Sequence, residues 1–308
     1  MTMKALRFSL LAAGLLAGGL TVRAGDQANP VSLEGVIDFH CHSAPDVTKR
    51  SVTSFEVVRN AKAAGMRAVV LKNHYFPTAA LAEVAMQEVG GIEVYGGIVL
   101  NRSNGGLNAE AIRRMVDVEG HRGKVVWLPT YDAENQVRFD GVSRPFVAVV
   151  RDGKPVAALT EIFQIVAAND LILATGHSSP VESLVLLDAA RKAGVKRLLV
   201  THVLSVSTRA TIGQMKLMAG LGATLEVVWL AHLGSKPLPV SVCVQAIQSV
   251  GAEHFLMSSD LGQPGNPVHT QGLRDFIAAL KAGGITDREI DLITRKNPAR
   301  LLGLDPLG

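Results

Sequence analysis

The stretch Val36-Ile37-Asp38-Phe39-His40-Cys41-His42 decides how this chain reads. It is apolar enough to be a buried strand, yet it ends on two histidines. Side chains alternate along a strand, so His40 and His42 share one face while Phe39 and Cys41 take the other. Two imidazoles on one face form half of a metal site, because neutral imidazole nitrogens suit divalent transition metals.

Seven further runs of the same kind follow, over 68–75, 94–101, 125–131, 171–177, 197–204, 223–230 and 255–261. They are rich in Val, Ile and Leu and nearly continuous, as strands buried on both faces of a parallel sheet are. Helical patterns lie between them, at 54–64, 108–115, 182–193 and 270–282; Asn108 is placed as an N-cap, and Gly65, Gly194 and Gly283 as C-terminal stops. Eight β-α units of this length predict an α/β fold, a (β/α)8 TIM barrel. An open doubly wound sheet is the competitor, but no G-x-G-x-x-G follows the first strand. The rhythm breaks at 133–160. There Asp152-Gly153 between two short apolar runs predicts a small β-hairpin inserted between strands 4 and 5.

The chain has 308 residues, 48% hydrophobic and 19% charged, which excludes a disordered polymer. Two cysteines exclude a disulfide-built scaffold, and Cys41 and Cys243 read as buried free thiols. The net charge of +4 and pI near 9.1 suggest nucleic acid at first sight. Residues 1–24 remove that suggestion. Lys4 and Arg7 precede an uncharged apolar stretch, and small residues Val22 and Ala24 precede Gly25, as in a secretory signal. Without Lys4, Arg7 and Arg23, the 31 basic residues fall to 28 against 27 acidic. The expectation is a signal peptide at 1–24 and a single domain at 25–308, exported to the periplasm or beyond. No stable membrane span remains after cleavage, the partner is a small-molecule substrate rather than nucleic acid, and a homo-oligomer stays open.

Chemistry gathers at the strand ends. His40, His42, His74, His177 and His202 close strands, and Asp260 closes the eighth. In a TIM barrel these ends carry the site. Burying that many polar groups without a ligand would cost about 1–3 kcal/mol for each one unsatisfied.

This pattern resembles the amidohydrolase superfamily of metal-dependent TIM-barrel hydrolases: H-x-H on strand 1, His on strands 5 and 6, Asp on strand 8. The segment Asn297-Pro-Ala-Arg-Leu-Leu-Gly303 is also similar to the end of many members. The resemblance is to a bacterial branch with no assigned substrate. It implies that His40, His42, His177, His202 and Asp260 bind metal, most simply one Zn2+, with two ions open. It further implies that His202 polarises the substrate carbonyl or holds a second metal, and that Asp260 is the general base. The reaction implied is attack of a metal-activated water on an amide, cyclic imide, lactone or ester. Alternatives are a PHP-type phosphoesterase with three ions, a nonoxidative decarboxylase, and an exported metal- or ligand-binding protein without catalysis.

Strand 4 lacks the bridging Lys or Glu of many two-metal members. The candidates for that place are Asp132, just past strand 4, and Lys72, which shares a face with His74; Lys72 could be carboxylated, hold a substrate anion, or pair with Asp132, and His74 is a further possible ligand or substrate contact. Arg209, His232 and Gln263, with Tyr75 and Tyr131, are candidate substrate contacts on loops. Glu226 is a candidate partner for a ligating histidine. Asn101–Gly106 reads as either an anion-holding loop or a tight turn, and His121 and His254 fall at the barrel bottom.

Overall fold

The computed structural model describes residues 31–305, so the expected signal segment lies outside the described residues. Eight parallel strands form one sheet: β1 (Ile37–Cys41), β2 (Ala68–Leu71), β3 (Glu93–Val99), β4 (Gly123–Trp127), β7 (Ile172–Ala174), β8 (Arg197–Val200), β9 (Ala223–Val228) and β10 (Phe255–Ser258). The sheet closes on itself just past its ends. Asp260 N donates to His40 O and His42 N to Leu261 O, both at 2.8 Å. The fold is a (β/α)8 TIM barrel. The hairpin lies where expected but is shorter, with β5 (Val150–Arg151) pairing antiparallel to β6 (Lys154–Pro155). Asp152 and Gly153 at its tip both have positive φ (50° and 70°), as a type I′ turn requires.

Helices cover the strands: α1 (Ser54–Ala63), α2 (Ala79–Val89), α3 (Ala109–Asp117), α4 (Glu134–Phe139), α5 (Ala158–Ala168), α6 (Pro180–Lys192), α7 (Ile212–Gly220), α8 (Val240–Val250), α9 (His269–Ala282), α10 (Asp287–Asp291) and α11 (Asn297–Leu302). Their starts are written in the sequence. Thr53/Glu56, Ser179/Glu182, Thr211/Gln214 and Thr286/Glu289 form capping boxes, and the Asn108 side chain accepts from Ala111 N. In α9, Leu273, Phe276, Ile277 and Leu280 recur at i, i+3, i+4 and i+7 and are fully buried, each contributing about 1.5–3 kcal/mol. Among the described residues no helix is long and apolar enough to cross a membrane.

Two apolar layers result. The outer one lies between strands and helices and includes Cys41, Val69, Leu71, Leu128, Leu173, Val200 and Val227. The inner one fills the barrel with Phe39, Val70, Val125, Trp127, Ala174, Leu199 and Leu256, and Leu301 and Leu302 of α11 join it. Phe39 therefore departs from simple alternation. An extra residue in β1, between Asp38 and Cys41, breaks the register against β2. This bulge leaves Phe39 in the inner layer and Cys41 in the outer one. The Asp38 carboxylate steadies it by accepting from His40 N (3.3 Å) and Ser259 N (2.9 Å). Both cysteines are buried and unbridged.

His269 opens α9 buried, with neither ring nitrogen partnered, and burial lowers its pKa to about 4. The folded state thus holds it neutral, while the unfolded chain binds a proton below about pH 6.5. Stability tied to this residue is present above that pH and is lost as pH falls toward 4. Chemical denaturation at about pH 7.5 and 4.5 should show His269→Leu losing about 2–3 kcal/mol less than the parent on acidification. Equal losses would contradict the assignment.

Candidate metal centre

β1 and the turn after β10 meet at three donor atoms. His40 Nε2 lies 3.2 Å from His42 Nε2 and 3.2 Å from Asp260 Oδ1, and His42 Nε2 lies 3.1 Å from Asp260 Oδ1. All three residues are buried. Behind His40, Glu226 of β9 sits 3.3 Å from Nδ1. Glu226 also accepts from Ser258 Oγ (2.8 Å) and from His202 N (3.1 Å). Burial works to raise its carboxyl, but His40, Lys72 and Ser258 outweigh this and hold it below the usual glutamate value. An ionised Glu226 only accepts, so His40 carries its proton on Nδ1. Its Nε2 lone pair then faces the triad, where Lys72 Nζ donates to it at 3.0 Å. A carboxylate behind the far nitrogen of an imidazole is the usual support of a metal-ligating histidine.

His177 and His202 adjoin this triad, with ring centroids 5.1 Å apart and His202 stacked 5.1 Å from His40. Both His177 nitrogens and His202 Nε2 are buried without a hydrogen bond among the described residues; the latter lies 3.4 Å from Asp260 Oδ2. Burial holds His40, His42, His74, His177 and His202 below the ordinary imidazole pKa, so their lone pairs are unprotonated. Converging neutral nitrogens, one carboxylate and orphaned buried nitrogens alongside fit a divalent metal. His40, His202 and Glu226 also lie close enough to form a second such group.

Backbone turns, not alternation, bring three of these residues inward. His202 and Asp260 adopt positive φ (40° and 52°), rare for residues with a Cβ. Bonds fix both turns. His202 O accepts from Thr208 Oγ1 (2.7 Å) and Ser205 N (2.8 Å), and Asp260 O accepts from Gln263 Nε2 (2.8 Å). His177 follows Gly176 at φ 62°, where a Cβ would stand 2.2 Å from Leu128 O.

His74, at the end of β2, is oriented by a network. Asn101 Oδ1 accepts from Thr130 N (2.8 Å), so its Nδ2 donates to His74 O (3.0 Å) and Thr130 Oγ1 (2.8 Å). The Thr130 hydroxyl then has His74 Nδ1 (2.8 Å) as its acceptor. This places the His74 proton on Nε2, which has no protein partner among the described residues and is not sealed from solvent. The ring stacks between His42 (4.8 Å) and Tyr131 (4.1 Å).

Other sequence candidates land elsewhere. Asp132 does not meet Lys72: it pairs with Arg144 (2.8 Å) and accepts from Arg102 N (2.9 Å). Lys72 instead lies buried, 5.4 Å over the Trp127 ring. Burial lowers its pKa to about 8 against the pull of Asp260 and Glu226. His232 is bonded to Leu238 O (2.7 Å) and packs at a tilt against Trp229 and Phe276. Gln263 supports the Asp260 turn. Arg209 donates to Leu204 O and, with Leu230, Leu238 and Asp260, lines a cavity of about 180 Å3. Asn101 belongs to the His74 network rather than to an anion loop. Sequence reasoning missed Thr130 and also Arg50, whose Nε is 2.6 Å from Asp46 Oδ2 and whose Nη2 is 3.4 Å from His42 Nδ1.

Residues 35–226 match a protein family described as "Family of unknown function (DUF6282)". The chain belongs to this family. No curated protein matches it. Among solved structures this DUF6282 barrel is similar to the organophosphorus hydrolase of Deinococcus radiodurans (16% identity, 88% of this chain and 94% of that chain, TM-score 0.59). It is also similar to a probable 2-pyrone-4,6-dicarboxylic acid hydrolase of Acinetobacter baumannii with citric acid bound (15%, 88% and 100%, 0.61). A Burkholderia multivorans amidohydrolase with bound zinc is a third (13%, 88% and 99%, 0.59). At these identities the likeness is one of fold: the DUF6282 chain shares the barrel architecture of these proteins.

Proposed function

We propose that this DUF6282 protein is an exported, metal-dependent hydrolase that binds one Zn2+ and cleaves an amide, cyclic imide, lactone or ester. The observation that carries the reading is the convergence of His40 Nε2, His42 Nε2 and Asp260 Oδ1, with Glu226 behind His40. These three residues would hold the ion, with His177 and His202 beside them. Once bound, a divalent metal would supply a water acidified to a pKa of about 7 and an electrostatic partner for developing negative charge.

The remaining steps belong to the chain. Asp260 Oδ2, outside the triad, takes the proton of the attacking water and delivers it to the leaving group. His74, its proton locked on Nε2, donates to the reacting carbonyl oxygen as charge builds there. Lys72 neutralises Asp260 and Glu226 and competes with the ion for the His40 lone pair. The strained turns at His202 and Asp260 support the same reading, since such conformations cluster at functional sites. Export is supported by the charged start and apolar stretch of residues 1–24.

The test is turnover by zinc-loaded protein on a panel of lactones, cyclic imides, esters and amides. Activity that disappears on chelation and returns with zinc is expected. Activity indifferent to chelation would overturn the reading. Release of carbon dioxide, or activity confined to phosphoesters with three ions bound, would replace it with the decarboxylase or phosphoesterase alternative.

A further inference from the structure

Arg50, in the loop after β1, has no sequence motif to mark it, yet it stands at the edge of the metal centre. Its side chain is only 4% exposed, and that of its partner Asp46 is fully buried. Asp46 Oδ2 takes the Nε edge at 2.6 Å, while Asp46 Oδ1 accepts from Val47 N, so the carboxylate is fixed by its own loop. Nη1 has no protein acceptor among the described residues and is not sealed from solvent. Nη2 has one contact, the 3.4 Å approach to His42 Nδ1. The guanidinium charge reaches His42, Lys72, Tyr75, Tyr131 and Asp260, so it looks onto the same space as the triad.

A metal on His42 Nε2 would remove that single contact. A neutral imidazole that gives its Nε2 lone pair to an ion carries its proton on Nδ1. His42 Nδ1–H and Arg50 Nη2–H would then be two donors face to face. The Nη1/Nη2 edge, nearly buried and then without an acceptor among the described residues, would need one from outside. A planar guanidinium held at its Nε side presents two parallel donors that match a carboxylate.

We infer that Arg50 is the anchor for a carboxylate on the substrate, so that the compound cleaved is an anionic ester, lactone or amide. The inference rests on the proposed metal-dependent hydrolase. Arg50 is one imidazole ring away from the triad, which places the carboxylate a few bonds from the scissile carbonyl. Tyr75 and Tyr131, with ring centroids 6.4 Å apart, wall the same mouth. The cavity beside Asp260, lined by Leu204, Leu230 and Leu238 together with Arg209 and Lys236, offers room for the rest of the molecule.

Monomethyl glutarate carries an ester carbonyl and a carboxylate three carbons apart; dimethyl glutarate lacks the carboxylate. Calorimetric titration of zinc-loaded protein should show the monoester binding at least about tenfold tighter than the diester. Arg50→Met should abolish that preference with zinc content unchanged, and Arg50→Lys should restore it only in part, lacking the planar fork. Equal affinity for the two esters, no detectable binding of the monoester, or a preference that persists in Arg50→Met would overturn the inference. Zinc content of the same preparations separates the two claims. A wild-type chain that takes up no zinc contradicts the metal reading, whereas full zinc with no carboxylate preference contradicts only the anchor.

Discussion

Asp260→Asn should lower kcat by about 10²–10⁴-fold, the usual contribution of a positioned general base. The substitution keeps the size and shape of the side chain but removes the proton acceptor. Asp260 is suited to the role because its two oxygens have separate tasks. Oδ1 lies with His40 and His42 at 3.2 and 3.1 Å, and Oδ2 lies 3.4 Å from His202. Burial raises its pKa against the charges of His40 and Lys72, which makes it more basic than an exposed aspartate. Zinc content must be measured alongside. A variant that keeps its zinc and loses turnover supports the base, and one that keeps both contradicts it.

His74→Phe should lower kcat by about 10²–10³-fold with little change in KM, as expected for a donor that acts as charge develops on the carbonyl oxygen. Phenylalanine can preserve the stacking on His42 and Tyr131 while deleting Nε2–H. A purely structural role would affect stability rather than kcat. The tautomer can be read directly. Nitrogen-15 NMR of labelled protein should show His74 protonated on Nε2. A proton on Nδ1, or a Phe variant with unchanged kcat, would remove His74 from the chemistry.

The barrel could be read from the chain, and the residues proposed for the site were nominated there because strand ends are rich in histidine. His40 and His42 needed only the two-residue period of a strand. Even there Ile37 and Phe39 share the inner layer and the phase changes at the bulge before Cys41, a break that no alternation rule anticipates. His177 and His202 were picked out by position at strand ends, but their entry into the site depends on left-handed turns at Gly176 and His202. Asp132 and His232 were nominated for following strands; Asp132 is instead bonded to Arg144 and Arg102 N, and His232 to Leu238 O. Arg50 stayed hidden because its contacts to Asp46 and His42 depend on how one loop folds back on itself, and the Asn101–Thr130–His74 network because it joins loops distant in sequence. Asn101 and Thr130 are 29 residues apart, and nothing local in either segment announces the other.

The central claim is a metal held by His40, His42 and Asp260. Elemental analysis of the purified chain, joined to anomalous diffraction at the absorption edge of the metal found, tests it most directly. The account predicts about one divalent ion per chain, with its anomalous peak at these three side chains, and loss of that ion in a His40→Ala/His42→Ala variant that still folds. A folded, chelator-free protein with no bound ion after zinc loading, or an ion located away from this triad, would contradict it.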